Sequence, residues 1–430
     1  MKVRRQKRKN SRSFKQRLPA ALVALTLTAA FLHPGIAAAE WQFDPILRAS
    51  WDFDDNATLS PRTDDEVELS GYIAEASLDM IYNSEDSYFS IRPIARFRNY
   101  GNDEDVEDWN ADDQFLRMSG IFNGDRNSFR IFGDFSREAV RTAEVADTDL
   151  DADIDPDDIG DDQTGFIDTS QRRNRYRFTP RWTHNFSEVS ELETELNYLT
   201  TSYDETDDTQ RLFDFTDIGL RIQYRRNFSP RNSVVFSVRA RDYNSDRFAG
   251  DKQSYELAGG LVRRLSETTQ FRAKLGIESV DQEDIAGLPS TSIDSQPTAD
   301  FALIRRLETI SFTAQYRKRV NASGRGFLTG RDEIHLRFTR YLNDRVSVGL
   351  GARAYSDSTI SGDAATQDYV QLRGQVVWRF SRSFSMQADY RHTVIDRGSL
   401  QGAADSNRFT VWFSWQPNPV GRDNRLRVQL

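Results

Sequence analysis

A short polar bend followed by strictly alternating residues recurs along this chain of 430 residues. RNFSPRNSVVFSV, residues 226–238, shows the unit, and HNFSEVSELETEL, RRLSETTQFRAKL, RRLETISFTAQY, RYLNDRVSVGLGA and WRFSRSFSMQADY repeat it. In the run from Val346 to Ala354 the even positions are apolar and the odd ones are small, polar or charged. Successive side chains of a strand point to opposite faces, so each run has one greasy and one wet face. A helix would need apolar spacings of three and four, which these runs lack.

The connections alternate too. Short bends fall near Ser84, Asp125, Ser187, Ser229, Ser266, Glu308, Asn343 and Ser381. Longer polar stretches lie between them, at 54–65, 101–112, 139–170, 204–210, 246–251, 282–296, 321–330, 358–366 and 397–406. Eight short turns and nine long loops join 18 strands, within a range of 16–18, and put both ends on the short-turn side. Runs of about 10–13 residues cross a bilayer when tilted. A propeller would need a blade signature, and none is present. The expected fold is therefore all-β, a transmembrane antiparallel up-and-down β-barrel. Its polar interior alternates with its lipid face, which reconciles a membrane protein with a mean hydropathy of −0.66.

The first 39 residues differ from the rest. MKVRRQKRKNSRSFKQR holds nine Lys or Arg and no acid, LPAALVALTLTAAFL is apolar, and HPGIAAAE ends in small residues. That is the order of a secretory signal, and the apolar run is short for a spanning helix. The expected division is 1–39 signal peptide, 40–416 barrel and 417–430 C-terminal tail. Without those nine bases the remainder carries 48 basic against 66 acidic residues, which argues against nucleic acid as a partner. The chain has no cysteine, so disulfides and thiolate sites are excluded.

One face of the alternating runs is a lipid face: Phe409, Val411, Phe413 and Trp415 in the last; Tyr176, Phe178 and Trp182; Phe271, Leu275 and Ile277; Val370, Leu372, Val376 and Trp378. The opposite face is rich in arginine. Candidate pore-lining residues are Arg92, Arg96, Arg173, Arg175, Arg177, Arg221, Arg239, Arg317, Arg337, Arg353 and Arg373, with Arg225, Arg241, Arg319 and Arg391 on the same parity. Asp79, Glu191, Glu193, Glu195, Glu256, Glu278, Glu333 and Asp389 share that face. Guanidinium and carboxylate pair bidentately, so these groups can fill the interior with salt bridges or form a basic wall for anions.

The longest loop contains DTDLDADIDPDDIGDD, with nine aspartates in 147–162. Asp151, Asp153 and Asp155 have the spacing of a calcium-loop opening, but the glycine at the sixth position and the glutamate at the twelfth are missing. A solvated acidic loop is the plainer reading. No cofactor motif occurs. The histidines His184, His335 and His392 have Phe186, Arg337 and Val394 two residues on, so none forms a His-x-Ser pair, and no enzyme activity is expected.

An opening strand that runs into WDFDDNATLSP, a signal-like start and about nine hairpins without a separate domain resemble the β-barrel porin family. Within it the chain is similar to outer-membrane proteins encoded beside exopolysaccharide and exosortase systems. QPNPVGRDNRLRVQL, continuing past Trp415, departs from barrels that end on a terminal aromatic. The resemblance implies a channel or export component in the outer membrane of a Gram-negative bacterium. It implies passage of saccharide or anionic solutes, with lipid, the barrel-assembly machinery and an anionic polysaccharide as partners. By analogy with porin-like barrels, the acidic third loop would fold inward toward Arg173, Arg175 and Arg177. A non-conducting surface scaffold and a rim hydrolase are the rival readings.

Overall fold

The computed structural model describes residues 41–417 except 102–108, 111, 141–171, 205–211, 283–293, 325, 361–366 and 399–401. Eighteen strands follow in chain order. They are β1 (Trp41–Asp54), β2 (Leu69–Asn83), β3 (Ser87–Asn99), β4 (Asp113–Asn123), β5 (Asn127–Ala139) and β6 (Arg172–Ser187). Next come β7 (Ser190–Tyr203), β8 (Phe215–Ser229), β9 (Asn232–Ser245), β10 (Phe248–Arg264), β11 (Thr269–Gln282) and β12 (Asp294–Arg306). The last are β13 (Ile310–Ala322), β14 (Leu328–Tyr341), β15 (Val346–Thr359), β16 (Gln367–Arg379), β17 (Phe384–Asp396) and β18 (Ala403–Trp415). Each pairs with its chain neighbours, and β18 returns to β1 antiparallel from Leu47↔Trp415 to Asp54↔Arg408. The sheet is a closed 18-stranded up-and-down barrel, which leaves no unpaired edge.

All eight expected bends are turns of two to four residues. Their recurring Ser or Asn has a local purpose. Ser229 Oγ accepts from the backbone N–H of Asn232 at 3.1 Å, and Asn343 Oδ1 from those of Arg345 and Val346 at 2.8 and 2.9 Å. Ser84 and Ser381 do the same to Ser87 and Phe384 at 3.1 and 3.0 Å. A short side chain that caps its own turn lets the chain reverse in so few residues.

Two of the nine expected long loops are short. Only residues 246–247 separate β9 from β10, and only 323–327 separate β13 from β14. There the strands continue past the alternating segment, with Asn321↔Thr329 and Ala322↔Leu328 still in register. Backbone pairing needs no lipid-facing side, so a ladder can extend past the segment that faces lipid.

Burial follows the alternation: β2 and β16 read buried and exposed in turn over their loop-side halves. The exposed set is apolar. Leu257, Leu275 and Ile277 are 68%, 59% and 61% exposed, and Phe413 is 56% exposed. On β14 the outward apolar residues Ile334, Leu336 and Phe338 are bracketed by Asp332 and Arg340. Eight residues at ~3.3 Å each, tilted by about 40°, give an apolar belt roughly 20 Å tall. At its loop-side edge Tyr316 and Lys318 hold Asp332 at 2.7 and 2.9 Å, an aromatic and ionic rim of the kind found at headgroup depth. A closed barrel with such a belt spans a membrane with its strands.

Candidate functional site

The inward face is a lattice of guanidinium–carboxylate pairs between neighbouring strands. Directly opposed residues on adjacent strands stand close together, so an Arg and an acid one register step apart can meet without leaving the wall. Arg92 pairs with Asp79, and Arg96 with Glu75 at 2.9 Å. Arg173 reaches Glu138 at 3.5 Å and Arg175 reaches Asp134 at 2.7 Å, so the preceding strand β5 supplies acids to both. Arg177 lies half-buried opposite Asp134 in register. Arg221 bridges Glu193 and Glu195, each at 3.0 Å, and Arg239 faces Glu256 at 3.7 Å. Arg353 meets Glu333 at 2.5 Å, with Arg319 at 3.5 Å on the same carboxylate. Arg373 meets Asp389 at 2.6 Å. Arg317 donates to Gln315 at 3.2 Å, and Arg337 is half-buried on the inward row of β14. Each candidate arginine thus stands on the inward row of its strand.

Apolar packing inside the barrel gathers at the long-connection end. Four buried apolar clusters occur among the described residues, all at that end. Two are built around segments that turn inward. In the first, the Asp-Asp-Asn at 54–56 fastens the loop to the β1–β18 seam. Asp54 accepts from Ser406 Oγ at 2.7 Å, and Asp55 from the N–H and Nδ2 of Asn407 at 2.7 and 2.8 Å. Asn56 donates to the Ser60 and Asp405 carbonyls, both at 3.0 Å, which draws residues 56–60 into a tight curl. Leu59, at a left-handed φ of 50°, then packs with Tyr355, Tyr369, Ile395 and Ala404. Its carbonyl accepts from Arg397 Nη1 at 2.9 Å. A leucine at positive φ costs about 1 kcal/mol or more, which the buried side chain offsets.

The second segment is the β13–β14 tip. Val320, Ala322 and Leu328 pack with Leu199, Phe215, Tyr243 and Val280. Asn321, Ser323 and Thr329, on the alternate positions, are buried as well. Tyr243 Oη donates to the Ser323 carbonyl at 2.7 Å, and Lys252 Nζ to the Gly326 carbonyl at 2.8 Å. Gly326 has φ +85°, and a Cβ there would sit 2.6 Å from the Arg247 Cβ, so the approach needs glycine. The same contacts tie β9 and β10 to a hairpin four strands away.

Charged groups near this end are sealed. Arg331 and its bidentate partner Asp357 are 1% and 9% exposed, and Glu333 and Arg353 are each 1% exposed. Toward the turns the same kind of pair opens to water: Arg225 and Glu191, 2.9 Å apart, are 40% and 29% exposed. Cover over the inward charges therefore increases from the turns toward the long connections.

The three described histidines are held by local partners. His184 bonds Asn127 Oδ1 at 2.8 Å between Trp182 and Phe186, and His392 bonds Asn407 Oδ1 at 3.0 Å. His335 Nε2 lies 2.7 Å from Glu333 Oε1 inside the wall. Asp151, Asp153 and Asp155, with the rest of the acidic run, lie outside the described residues.

Sequence reasoning missed Arg331, Arg98 and Arg408, and with them Asp52, Asp113 and Asp357. Parity was the available signal: Arg331 is an even number of residues from Arg337, and Arg408 lies out of phase with the lipid-facing Phe409. Nothing in the sequence announces the inward turn of 323–327.

Neither a protein-family model nor a curated protein matches the chain. Among solved structures it is similar to a BenF-like porin from Pseudomonas fluorescens Pf-5 (TM-score 0.47, 10% identity, covering 87% of this chain and 98% of that one). It is also similar to OccAB4 of Acinetobacter baumannii (0.44, 9%, 88% and 98%) and to the outer membrane channel DcaP of the same organism (0.41, 10%, 90% and 100%). Likenesses at this level decide nothing about solute or mechanism. The strand pairing and the apolar belt by themselves make this chain a membrane-spanning β-barrel.

Proposed function

We propose that this barrel is a channel or export component of the outer membrane of a Gram-negative bacterium, passing saccharide or other anionic solutes along an arginine-lined lumen. The observation that carries the reading is the change of interior exposure along the wall. Arg225 and Glu191 stand in water near the turns, whereas Arg331 and Arg353 are sealed near the loops. A barrel of 18 strands is wide enough for an aqueous lumen. A guanidinium keeps its charge at every physiological pH, so one that faces the lumen without a carboxylate of its own favours an anion. A second reading, a non-conducting surface scaffold, draws on the density of ion pairs and the apolar clusters at the long-connection end.

Planar-bilayer recording separates the two. Discrete conductance steps are expected from the wild type, and larger ones from Leu59→Gly, which removes the side chain filling the Tyr355–Tyr369–Ile395 cluster while relieving its backbone. Silence from both variants would mean a scaffold.

A further inference from the structure

Arg391 is left over from the pairing scheme. It is an inward residue of β17, 8% exposed, and its Nε has no hydrogen-bond partner. Among the described residues it makes no hydrogen bond and no ion pair, whereas every other arginine buried to that degree holds an acceptor. Its neighbours are committed. Arg373, Arg391 and Arg408 stand directly opposite one another on β16, β17 and β18. Arg373 gives both Nε and Nη2 to Asp389 Oδ2, at 2.7 and 2.6 Å. Arg408 gives Nε and Nη2 to the two oxygens of Asp52, each at 2.9 Å. The row continues past Arg373 to Gly351, which puts no side chain on the inward face, and then to Arg337.

We infer that Arg391 is a binding site for the carboxylate of a solute, a reading that rests on solutes entering the lumen. An unpaired charge in a low-dielectric wall is strongly unfavourable, and a ligand oxygen pair is the missing half of a fork. The flanking arginines are each neutralised by an aspartate, so between them Arg391 has one positive charge to offset. A singly charged carboxylate balances it, whereas doubly charged phosphate would leave a buried negative charge. The position suits a passing solute. Arg391, Thr393 and Ile395 follow on one face of β17, and Ile395 packs against Leu59. Arg391 therefore lies four residues, about 13 Å along the strand, beneath the Leu59 cluster. The layer between offers Gln371, whose Nε2 donates to Tyr369 Oη at 2.7 Å.

The test uses the full barrel in detergent and reads the temperature at which its folded gel band is lost, titrated with sodium glucuronate, acetate or phosphate. A ligand that binds only the folded state raises that temperature, so the titration yields an affinity. Wild type is expected to bind both carboxylates, and Arg391→Gln to bind them at least tenfold more weakly. Arg391→Lys, which keeps the charge without the fork, should fall between. Equal affinity for acetate and glucuronate would assign the site to the carboxylate alone; tighter glucuronate would assign it to a sugar acid. Arg391→Gln binding as well as wild type, or no binding by wild type, overturns the site. Phosphate binding more tightly than either carboxylate overturns the ligand class. Bilayer recordings on the same samples keep the two proposals apart. A conducting barrel with no Arg391-dependent binding fails only the site; a silent barrel that binds through Arg391 fails only the channel.

Discussion

The two ends of the barrel interior use the same residues to different effect. At the turn end Arg225 and Glu191 form an ion pair in water; at the loop end Arg331 and Asp357 form one that is almost wholly covered. Strand parity and chemistry are alike, so neither explains the difference. The connections do. A turn of two to four residues has no chain to spare once it has reversed direction. The loop side can send Leu59 and the β13–β14 tip inward, and the apolar side chains they carry exclude water from the charges beneath them. An ion pair's worth is thus decided by its cover.

The largest expected effect concerns which end of the barrel faces out of the cell. Cysteine at Thr63, exposed in the β1–β2 connection, should react with an impermeant reagent on intact cells. Cysteine at Ser266, exposed in the β10–β11 turn, should react only after the outer membrane is permeabilised. This asymmetry follows the long-outside, short-inside habit of such barrels, and labelling in the opposite sense would invert the model.

Next in size is the energetic contrast between the ends. Arg331→Met leaves Asp357 buried without its partner and should cost about 3–5 kcal/mol. Arg225→Met, at an exposed pair, should cost about 1 kcal/mol or less. Guanidinium unfolding followed by tryptophan fluorescence measures both, and equal losses would mean that the loop end is as wet as the turn end.

A smaller contrast on the outer face sharpens where the ends begin. Leu336→Arg, in the middle of the apolar belt, should cost about 2–4 kcal/mol, while Leu342→Arg, just past the exposed Arg340, should cost about 1 kcal/mol or less. Refolding yield into lipid vesicles would rank them; the reverse ranking would place the belt lower on the wall than Asp332 and Arg340 do.

Much of this was legible in one dimension. A period of two carries its own face assignment, so Phe413 and Leu275 could be read as outward and Arg353 and Arg373 as inward before any pairing was known. The bends were legible because turn chemistry is local: Ser229 and Asn343 cap their own turns. The 246–251 and 321–330 stretches misled because polarity marks where the apolar belt ends, while the ladder runs on beyond it. Asp54-Asp55-Asn56 stood out as a motif, yet its partners Ser406 and Asn407 lie some 350 positions away, and only closure brings them near.

Sequence by itself determined the strands, their number, their faces and the end on which each connection lies, because alternation and turn formation are interactions between near neighbours. Tertiary packing settles which acid meets which arginine, where Leu59 and the β13–β14 tip pack, and that Arg391 has no partner among the described residues. Those outcomes depend on the register of eighteen strands taken together: a one-residue slip anywhere would turn a face and redraw every pair across it.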